Sequence, residues 1–468
     1  MPVNASLRFL GAARQVTGSC YLINLNQQQL LLDCGMVQGA DQVREWHKFR
    51  FPFKPKDIDA VILSHAHIDH SGLLPLLVAK GFGGNIYCTP GTAELLPVLL
   101  KDSVNLYLKD LEWQNRKAAR AGKKIYEPVM SLQDAERVSD LVRVLGYNKR
   151  AFPLQGVELE FADAGHILGS AIVQLWLKGK QAMKKLVFSG DLGNPATVLL
   201  PAPTEIEQAD IVLMESTYGN RNHQPLDNTI EEFATALEQA YNDGGNVFIP
   251  AFALGRSQEI LYYLALLHRQ GRLKQRLVFL DSPMAISITK IYSEYLHRLE
   301  QADLDKIGYK KGMTLEQLLP MLKVSETVED STAINRVTHG AIIIAGSGMC
   351  NGGRIVHHLK HNLWKNTNHI IFVGFQARGT LGRRLVDGEK RVKIFGQDTV
   401  VKAKLHTIGG FSAHAGQTEL VRWATAIGGT PDFYLVHGEP EAQQVLQQVL
   451  AEAGIQAQIP EQGQQILF

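Results

Sequence analysis

Cysteine is scarce in this chain: Cys20, Cys34, Cys88 and Cys350 are the only four in 468 residues, and no two form a CxxC pair. Neither a disulfide framework nor a thiolate zinc knuckle is suggested, and a reducing compartment fits best. No stretch reaches the roughly 20 apolar residues that span a bilayer. The N-terminus, Met-Pro-Val-Asn-Ala-Ser-Leu-Arg, lacks the basic-then-apolar order of a signal peptide. The expectation is a cytoplasmic protein with no membrane attachment. An excess of one charge is missing too, since 48 Lys and Arg against 46 Asp and Glu leave +2. That balance neither demands nor excludes a polyanionic partner, because only local patches steer a ligand. Internal repeats, low-complexity tracts and Pro-rich linkers are absent.

What is present is core-forming material. At 45% hydrophobic and 20% charged residues, the chain has the composition of a compact globular enzyme, and its length suggests about two or three domains. In the first two hundred residues, short apolar runs close on polar residues: Leu30-Leu31-Leu32 on Asp33, Ala60 to Leu63 on Ser64-His65, and Leu186-Val187-Phe188 on Ser189-Gly190-Asp191. Each reads as a buried strand ending where side chains stay accessible. Val98 to Ala121 mixes apolar and basic residues and reads as an amphipathic helix with a solvated basic face. From about Ala209 the rhythm changes to strand 211–214, helix 229–242, strand 246–250, helix 256–270 and strand 276–280, which implies parallel βαβ units. The runs 341–345 and 370–373 extend that sheet, and the polar stretch 294–340 reads as a helical insertion. The last sixty residues return to short strands near histidines.

The strongest local signal is His65-Ala66-His67-Ile68-Asp69-His70, directly after a strand. On a turn entering a helix, alternating residues point to different sides, so His65 and His67 can serve one ion while Asp69 and His70 serve a neighbour. Imidazole and carboxylate suit Zn²⁺ or a similar first-row ion. His166, in Asp163-Ala164-Gly165-His166, and Asp191 could complete such a pair; taken singly, each reads equally as a hydrogen-bonded loop or turn residue.

These positions resemble the metallo-β-lactamase superfamily, whose pattern is a strand-end Asp, HxHxDH, a Gly-flanked His and a bridging Asp. The resemblance implies an αββα sandwich with two Zn²⁺: His65, His67 and His166 on one ion, Asp69 and His70 on the other, Asp191 bridging, and Asp33 orienting a ligand. The motifs Met214-Glu215-Ser216-Thr217-Tyr218-Gly219, His406 to Ala415 and Val436-His437-Gly438-Glu439 are similar to signature motifs of the β-CASP nucleases. The likeness is nearest the branch of the 73-kDa subunit of the cleavage and polyadenylation specificity factor and its prokaryotic relatives. It implies a parallel-sheet α/β β-CASP domain inserted into the sandwich, with residues 1–208 and 405–468 forming the metallo-β-lactamase part and 209–404 the insertion. His437 becomes the remaining zinc ligand, where the DNA-processing branch is apolar, and so favours RNA. His414 and Glu215 become a hydrogen-bonded catalytic pair beside Asp69. The family usually has Asp where this chain has Gly416, which leaves the helix start there open.

The implied activity is hydrolysis of single-stranded RNA, in a cleft between the two parts, by hydroxide generated between the zinc ions, with His414 protonating the leaving ribose oxygen. Endo- and exonucleolytic cutting stay open, and so do the RNA target and a homodimer. No KH-type domain precedes the sandwich and no extension follows it, so selectivity is expected from the cleft, dimerisation or a partner. Two glycine-rich stretches, 346–354 and 374–384, follow apolar strands and serve either packing or an anion. With Arg354, Arg378, Arg383 and Arg384 they suggest a phosphate track, for which Ser347, Gly348, Arg354, Gln376, Arg378 and Ser412 are the candidate contacts; Lys390 to Lys393 extend it or form a solvated face. A hydrolase of small esters or thioesters is the alternative that the long insertion and the 215, 414 and 437 motifs oppose. A non-catalytic scaffold is opposed by the complete ligand set.

Overall fold

The computed structural model describes residues 5–38, 46–179, 182–377 and 379–468. The chain forms two compact units. One comprises Met1–Pro195, Ala202–Asn222 and His414–Phe468; the other comprises Ala196–Pro201 and His223–Ala413.

The first unit is the expected αββα sandwich. One sheet has seven strands in the spatial order Gln465–Leu467, Ala5–Gly11, Cys20–Leu25, Gln28–Leu32, Ala60–Ile62, Asn85–Cys88 and Val142–Val144. The other runs Ala457–Gln458, Asp432–Val436, Ile211–Glu215, Met183–Phe188, Ala171–Lys178, Val157–Asp163 and Arg150–Leu154. Their inner faces close on Leu7, Phe9, Tyr21, Leu32 and Ile62 from the first sheet and Phe161, Leu175, Phe188 and Val436 from the second. Each such buried aromatic or leucine contributes about 1.5–3 kcal/mol of apolar transfer. Helices Leu74–Ala79, Pro90–Arg120 and Leu132–Leu141 cover the outside of the first sheet, and Gln417–Ala426 and Pro440–Glu452 cover the second.

The second unit is built on a six-stranded parallel sheet in the order Leu322–Val324, Leu277–Leu280, Ala341–Ala345, Val247–Pro250, His369–Phe372 and Lys404–Thr407. Ala341–Ala345 is buried at all five positions, as a strand covered on both faces by helices must be.

Three elements differ from the sequence expectation, the first being Lys404–Thr407, which the boundary at 405 assigns to the sandwich but which pairs parallel with His369–Phe372 at the edge of the second unit's sheet. The run 211–214 looks like the first strand of the inserted sheet, yet Ile211–Glu215 lies between Met183–Phe188 and Asp432–Val436, parallel to both, in the sandwich. A strand buried on both faces carries no periodicity that tells one sheet from another. Within the stretch expected to be helical, Leu322–Val324 adds an edge strand, too short and too polar to register as one.

Candidate metal centre and active site

The strand Ala60–Ile62 delivers the chain into Ser64-His65, and a short helix, Ile68–Ser71, follows. The loop after Gln28–Leu32 fixes that turn, with Cys34 N donating to His70 O at 2.8 Å and Met36 N to Ile68 O at 3.0 Å, and Ser19 N, just before Cys20–Leu25, donates to Asp69 O at 2.8 Å. Gly35 is required there, because a Cβ would lie 1.6 Å from the Asp69 carbonyl oxygen. Asp33 and His437 both hold positive φ, 57° and 50°. Left-handed geometry at non-glycine strand ends is uncommon and collects at functional sites.

The side chains converge as two sets, with Asp191 a member of the first and its Oδ1 within 3.5 Å of His70 and His437 of the second. His65, His67, His166 and Asp191 bring one donor atom each within 4.8 Å of one another, and Asp69, His70 and His437 do the same. Ring nitrogens face ring nitrogens: His65 Nε2 to His67 Nδ1 at 3.1 Å, His166 Nε2 to His67 Nδ1 at 3.3 Å, and His70 Nε2 to His437 Nε2 at 3.2 Å. Asp191 is 2% exposed, within 3.5 Å of His65, His70, His166 and His437, and its Oδ1 is a buried acceptor without a hydrogen bond. Inward lone pairs at such spacing, with an orphaned carboxylate oxygen among them, are what cations hold together. The residues fit a bound metal.

The opposite ring edges are held from behind. His70 Nδ1 pairs with Asp33 Oδ2 at 2.7 Å, His65 Nδ1 with Ser64 Oγ at 3.1 Å, and His437 Nδ1 with Thr217 Oγ1 at 3.1 Å. Such partners fix the tautomer and aim the free nitrogen inward. Asp33, fully buried, also accepts from Ser19 Oγ, Ser64 N and Ser64 Oγ. Ser19, Ser64 and Thr217 had no assigned role in the sequence; adjacency to His65 was the only signal for Ser64, and Ser19 had none. Burial, with the charge of His70, pushes His65 well down, and burial takes His67 to about 4, leaving both neutral and able to ligate. Burial would raise Asp69, but the His437 hydrogen bond and neighbouring histidines hold it at about 2.

Next to Asp191 stands the second functional group. Glu215 ends its strand fully buried, and its Oε1 accepts from Leu192 N at 2.7 Å and from His414 Nδ1 at 3.1 Å. His414 bridges to Gly193, with Ala415 N donating to Leu192 O at 2.8 Å, and its Nε2 lies 4.0 Å from Asp191 Oδ2. Burial lowers its pKa, but the Glu215 charge and hydrogen bond carry it up to about 10. The Glu215 carboxylate thus favours the protonated imidazole and holds its Nε2 where it can donate. Gly416 caps the following helix without a side chain; Asn222 Oδ1 accepts from Thr418 N at 2.9 Å in its place.

Residues 13–240 match the metallo-beta-lactamase superfamily, 257–385 the Beta-Casp domain, and 398–460 the Zn-dependent metallo-hydrolase RNA specificity domain. The chain is 39% identical to Ribonuclease TTHA0252 of Thermus thermophilus, over 97% of this chain and 98% of that protein. The chain belongs to the β-CASP RNA nuclease family of the metallo-β-lactamase superfamily. It is also 32% identical to an RNase J-like protein of Methanocaldococcus jannaschii, covering 92% of each. Against transcription termination factor FttA of Methanosarcina mazei it is 32% identical, over 92% of this chain and 67% of that one. A solved structure of a protein of unknown function from Enterococcus faecalis V583 shares the fold, with a TM-score of 0.55 at 12% identity over 99% of this chain and all of the other. As a β-CASP member the chain is a metal-dependent hydrolase.

In the second unit the β-CASP loops after the parallel strands are tied together. Gln376 Nε2 donates to Gly348 O at 3.0 Å, Ser347 Oγ accepts from Asn351 N at 3.1 Å, and Gly348 sits against the Phe252 ring. Arg354 is committed elsewhere, to Asp281 Oδ1 at 2.8 Å and to the carbonyls of Ser325 and Glu326. Arg383 pairs with Asp387 and Arg384 with Glu389. Those three guanidiniums thus brace their own unit. Ser412 is buried, and Arg378 lies outside the described residues.

Proposed function

We propose that this chain hydrolyses phosphodiester bonds of single-stranded RNA, with two Zn²⁺ as cofactors. His65, His67 and His166 would hold one ion, Asp69, His70 and His437 the other, and Asp191 would bridge. The observation that carries this reading is the His414–Glu215 pair set against Asp191 at the mouth of two histidine-rich donor sets. Zinc held there would supply Lewis-acid polarisation of a phosphoryl oxygen and water acidified toward neutrality.

The protein's own groups then have defined tasks. His414, protonated and fixed by Glu215, gives its Nε2 proton to the departing ribose 3′-oxygen, which leaves a 5′-phosphate and a 3′-hydroxyl. Glu215 stays in place through its two backbone donors, Leu192 N and Thr217 N, and stabilises the imidazolium. Asp33, Ser64 and Thr217 keep the ligating imidazoles from turning. Ser347, Gly348, Gln376, Arg378 and Ser412 remain the proposed contacts to the strand; Arg354 serves it by bracing the loop at 346–353.

The test is cleavage of a single-stranded RNA labelled separately at each end, comparing the wild type with His414→Ala after zinc has been counted in both by elemental analysis. Internal cuts by the wild type, and a variant that keeps about two zincs but loses activity, support an endonuclease with His414 as acid. Mononucleotide release makes it an exonuclease. No cleavage at full zinc loading refutes the nuclease reading.

A further inference from the structure

The long helix Pro90–Arg120 has two halves of different character. Up to Tyr107 it buries Leu95 and Leu99 and packs Leu96, Leu100, Val104 and Tyr107 into the core outside the first sheet. From Leu108 through Val129 no residue is buried. Of the thirteen further helical residues, about 20 Å at 1.5 Å each, only Leu108 and Leu111 pack against the core, both half-buried, and the helix runs on past them. The chain returning from the helix end is nonetheless pinned. Asn115 clamps the Tyr126 backbone through both amide atoms, at 2.8 and 3.0 Å, Val129 N donates to Tyr107 Oη at 2.8 Å, and His47 stacks on Tyr126 at 3.6 Å.

The tip of this arm is basic and aromatic. Between Glu112 and Glu127 there is no acidic residue, while Arg116, Lys117, Arg120, Lys123 and Lys124 all fall there. Arg116 pairs with Glu112; among the described residues the other four have no carboxylate within 4.0 Å. Residues 113–126 thus carry +5 in a chain whose net charge is +2, which leaves −3 over all the rest. Trp113 is 61% exposed with Lys117 Nζ 5.3 Å from its ring, and Lys124 Nζ is 5.4 Å from the Tyr126 ring. A merely solvated face has no use for an exposed indole amid its lysines. Cations for phosphates interleaved with aromatic planes for bases are the two components of single-strand binding surfaces.

We propose that this arm is a second anchor for the RNA strand, outside the metal centre. The inference rests on the RNA-hydrolase reading above and extends it to substrate length. The helix begins beside the centre, since Thr92 Oγ1 donates to Gly169 O at 2.8 Å in the His166 loop. From Thr92 to Lys117 is at most about 38 Å along the helix axis, which a stacked strand spans with about 11 nucleotides at 3.4 Å per phosphate. A stacked RNA of about half that length reaches only one of the two places.

The experiment is equilibrium binding by fluorescence anisotropy, from 50 to 300 mM KCl, of an unstructured 30-nucleotide RNA and of a 6-nucleotide RNA. The proteins are the wild type, the quadruple variant Lys117→Ala, Arg120→Ala, Lys123→Ala, Lys124→Ala, and Trp113→Ala, each with its zinc. At 50 mM KCl the quadruple variant should bind the 30-mer at least tenfold more weakly. Its log–log salt slope should be shallower by about 3, from about 0.7 per lost phosphate contact. Trp113→Ala should lose about fivefold or more. The 6-mer should bind all three alike. Equal losses on both RNAs, or an unchanged slope for the 30-mer, overturn the proposal. So does unaltered RNA binding together with lost binding to vesicles of anionic phospholipid, which would make the arm a membrane contact. Length-dependent binding without cleavage by the zinc-loaded wild type would instead refute the hydrolase reading and leave the surface standing.

Discussion

Asp33→Asn should weaken zinc binding although Asp33 is not placed on the metal. The substitution is sterically quiet: the volume is conserved, and Asn tolerates the φ of 57° that Asp33 adopts. Its effect is on hydrogen-bond direction. Oδ1 accepts from Ser64 N at 2.8 Å, and Oδ2 accepts from Ser19 Oγ and Ser64 Oγ, both at 2.9 Å, and from His70 Nδ1 at 2.7 Å. An amide has one acceptor and one donor end. If its NH₂ faces His70, the ring must put its proton on Nε2, the nitrogen 3.2 Å from His437 and needed for the ion. If the amide flips, the NH₂ meets the Ser64 N–H and that buried donor is orphaned. Loss of such a supporting carboxylate costs about 10–100-fold in metal affinity, or about 1.4–2.7 kcal/mol. Competition with a chelator of known affinity reads this directly. Ser19→Ala removes one neutral donor from the same oxygen and should change affinity far less. An Asp33→Asn protein that holds zinc within twofold of wild type would refute the reasoning.

His414→Ala should lower kcat for RNA by about 10²–10⁴ with zinc content unchanged by elemental analysis; a variant that loses zinc in parallel would count against its role as acid. Gly35→Ala drives a Cβ to 1.6 Å from the Asp69 carbonyl oxygen and should cost about 3 kcal/mol or more in urea denaturation, with lower zinc content. Arg354→Ala leaves Asp281, fully buried and bound to His358 and Ser331, without the guanidinium that pairs with it, and should destabilise by about 2–4 kcal/mol in the same assay. Asp163 supplies a pH test in metal-free protein: burial lifts its carboxyl from 3.8 to about 6. A raised acid favours the neutral form in the fold, so its stabilisation is present below about pH 4 and is lost as pH rises to 6. Asp163→Asn, which still accepts from Gly165 N, should therefore gain about 1–3 kcal/mol relative to wild type between pH 4 and 7. A constant difference across that range would contradict the assignment.

Much of the centre was legible because its chemistry is local. His65 to His70 lie within six residues, so their donor character is visible without a fold, and the turn into a short helix sends them to two sides. Glu215, His414 and His437 were marked only by their motifs. Nothing in the sequence says that His414 Nδ1, 199 positions on, meets Glu215 Oε1. The strand 211–215 shows the same limit. Its apolar run announces a buried strand, but its membership of the sandwich depends on pairing with 183–188 and 432–436, and a strand covered on both faces looks alike in either sheet.

The arginines make the point from the other side. Arg354, Arg383 and Arg384 beside glycine-rich turns read as phosphate forks, yet each is taken up by a carboxylate of its own unit. Residue type determines what a guanidinium can bind, and the fold decides which acceptor reaches it first. By itself the sequence determined the donor set, the alternation of buried strands with helices and the family likeness, since these rest on residue type and short-range period. Only the tertiary structure decided the sheet of each strand, the hydroxyls and carboxylate that aim the histidines, and the pairing of His414 with Glu215. Those depend on contacts between residues far apart in sequence, which close only when the two sheets pack face to face.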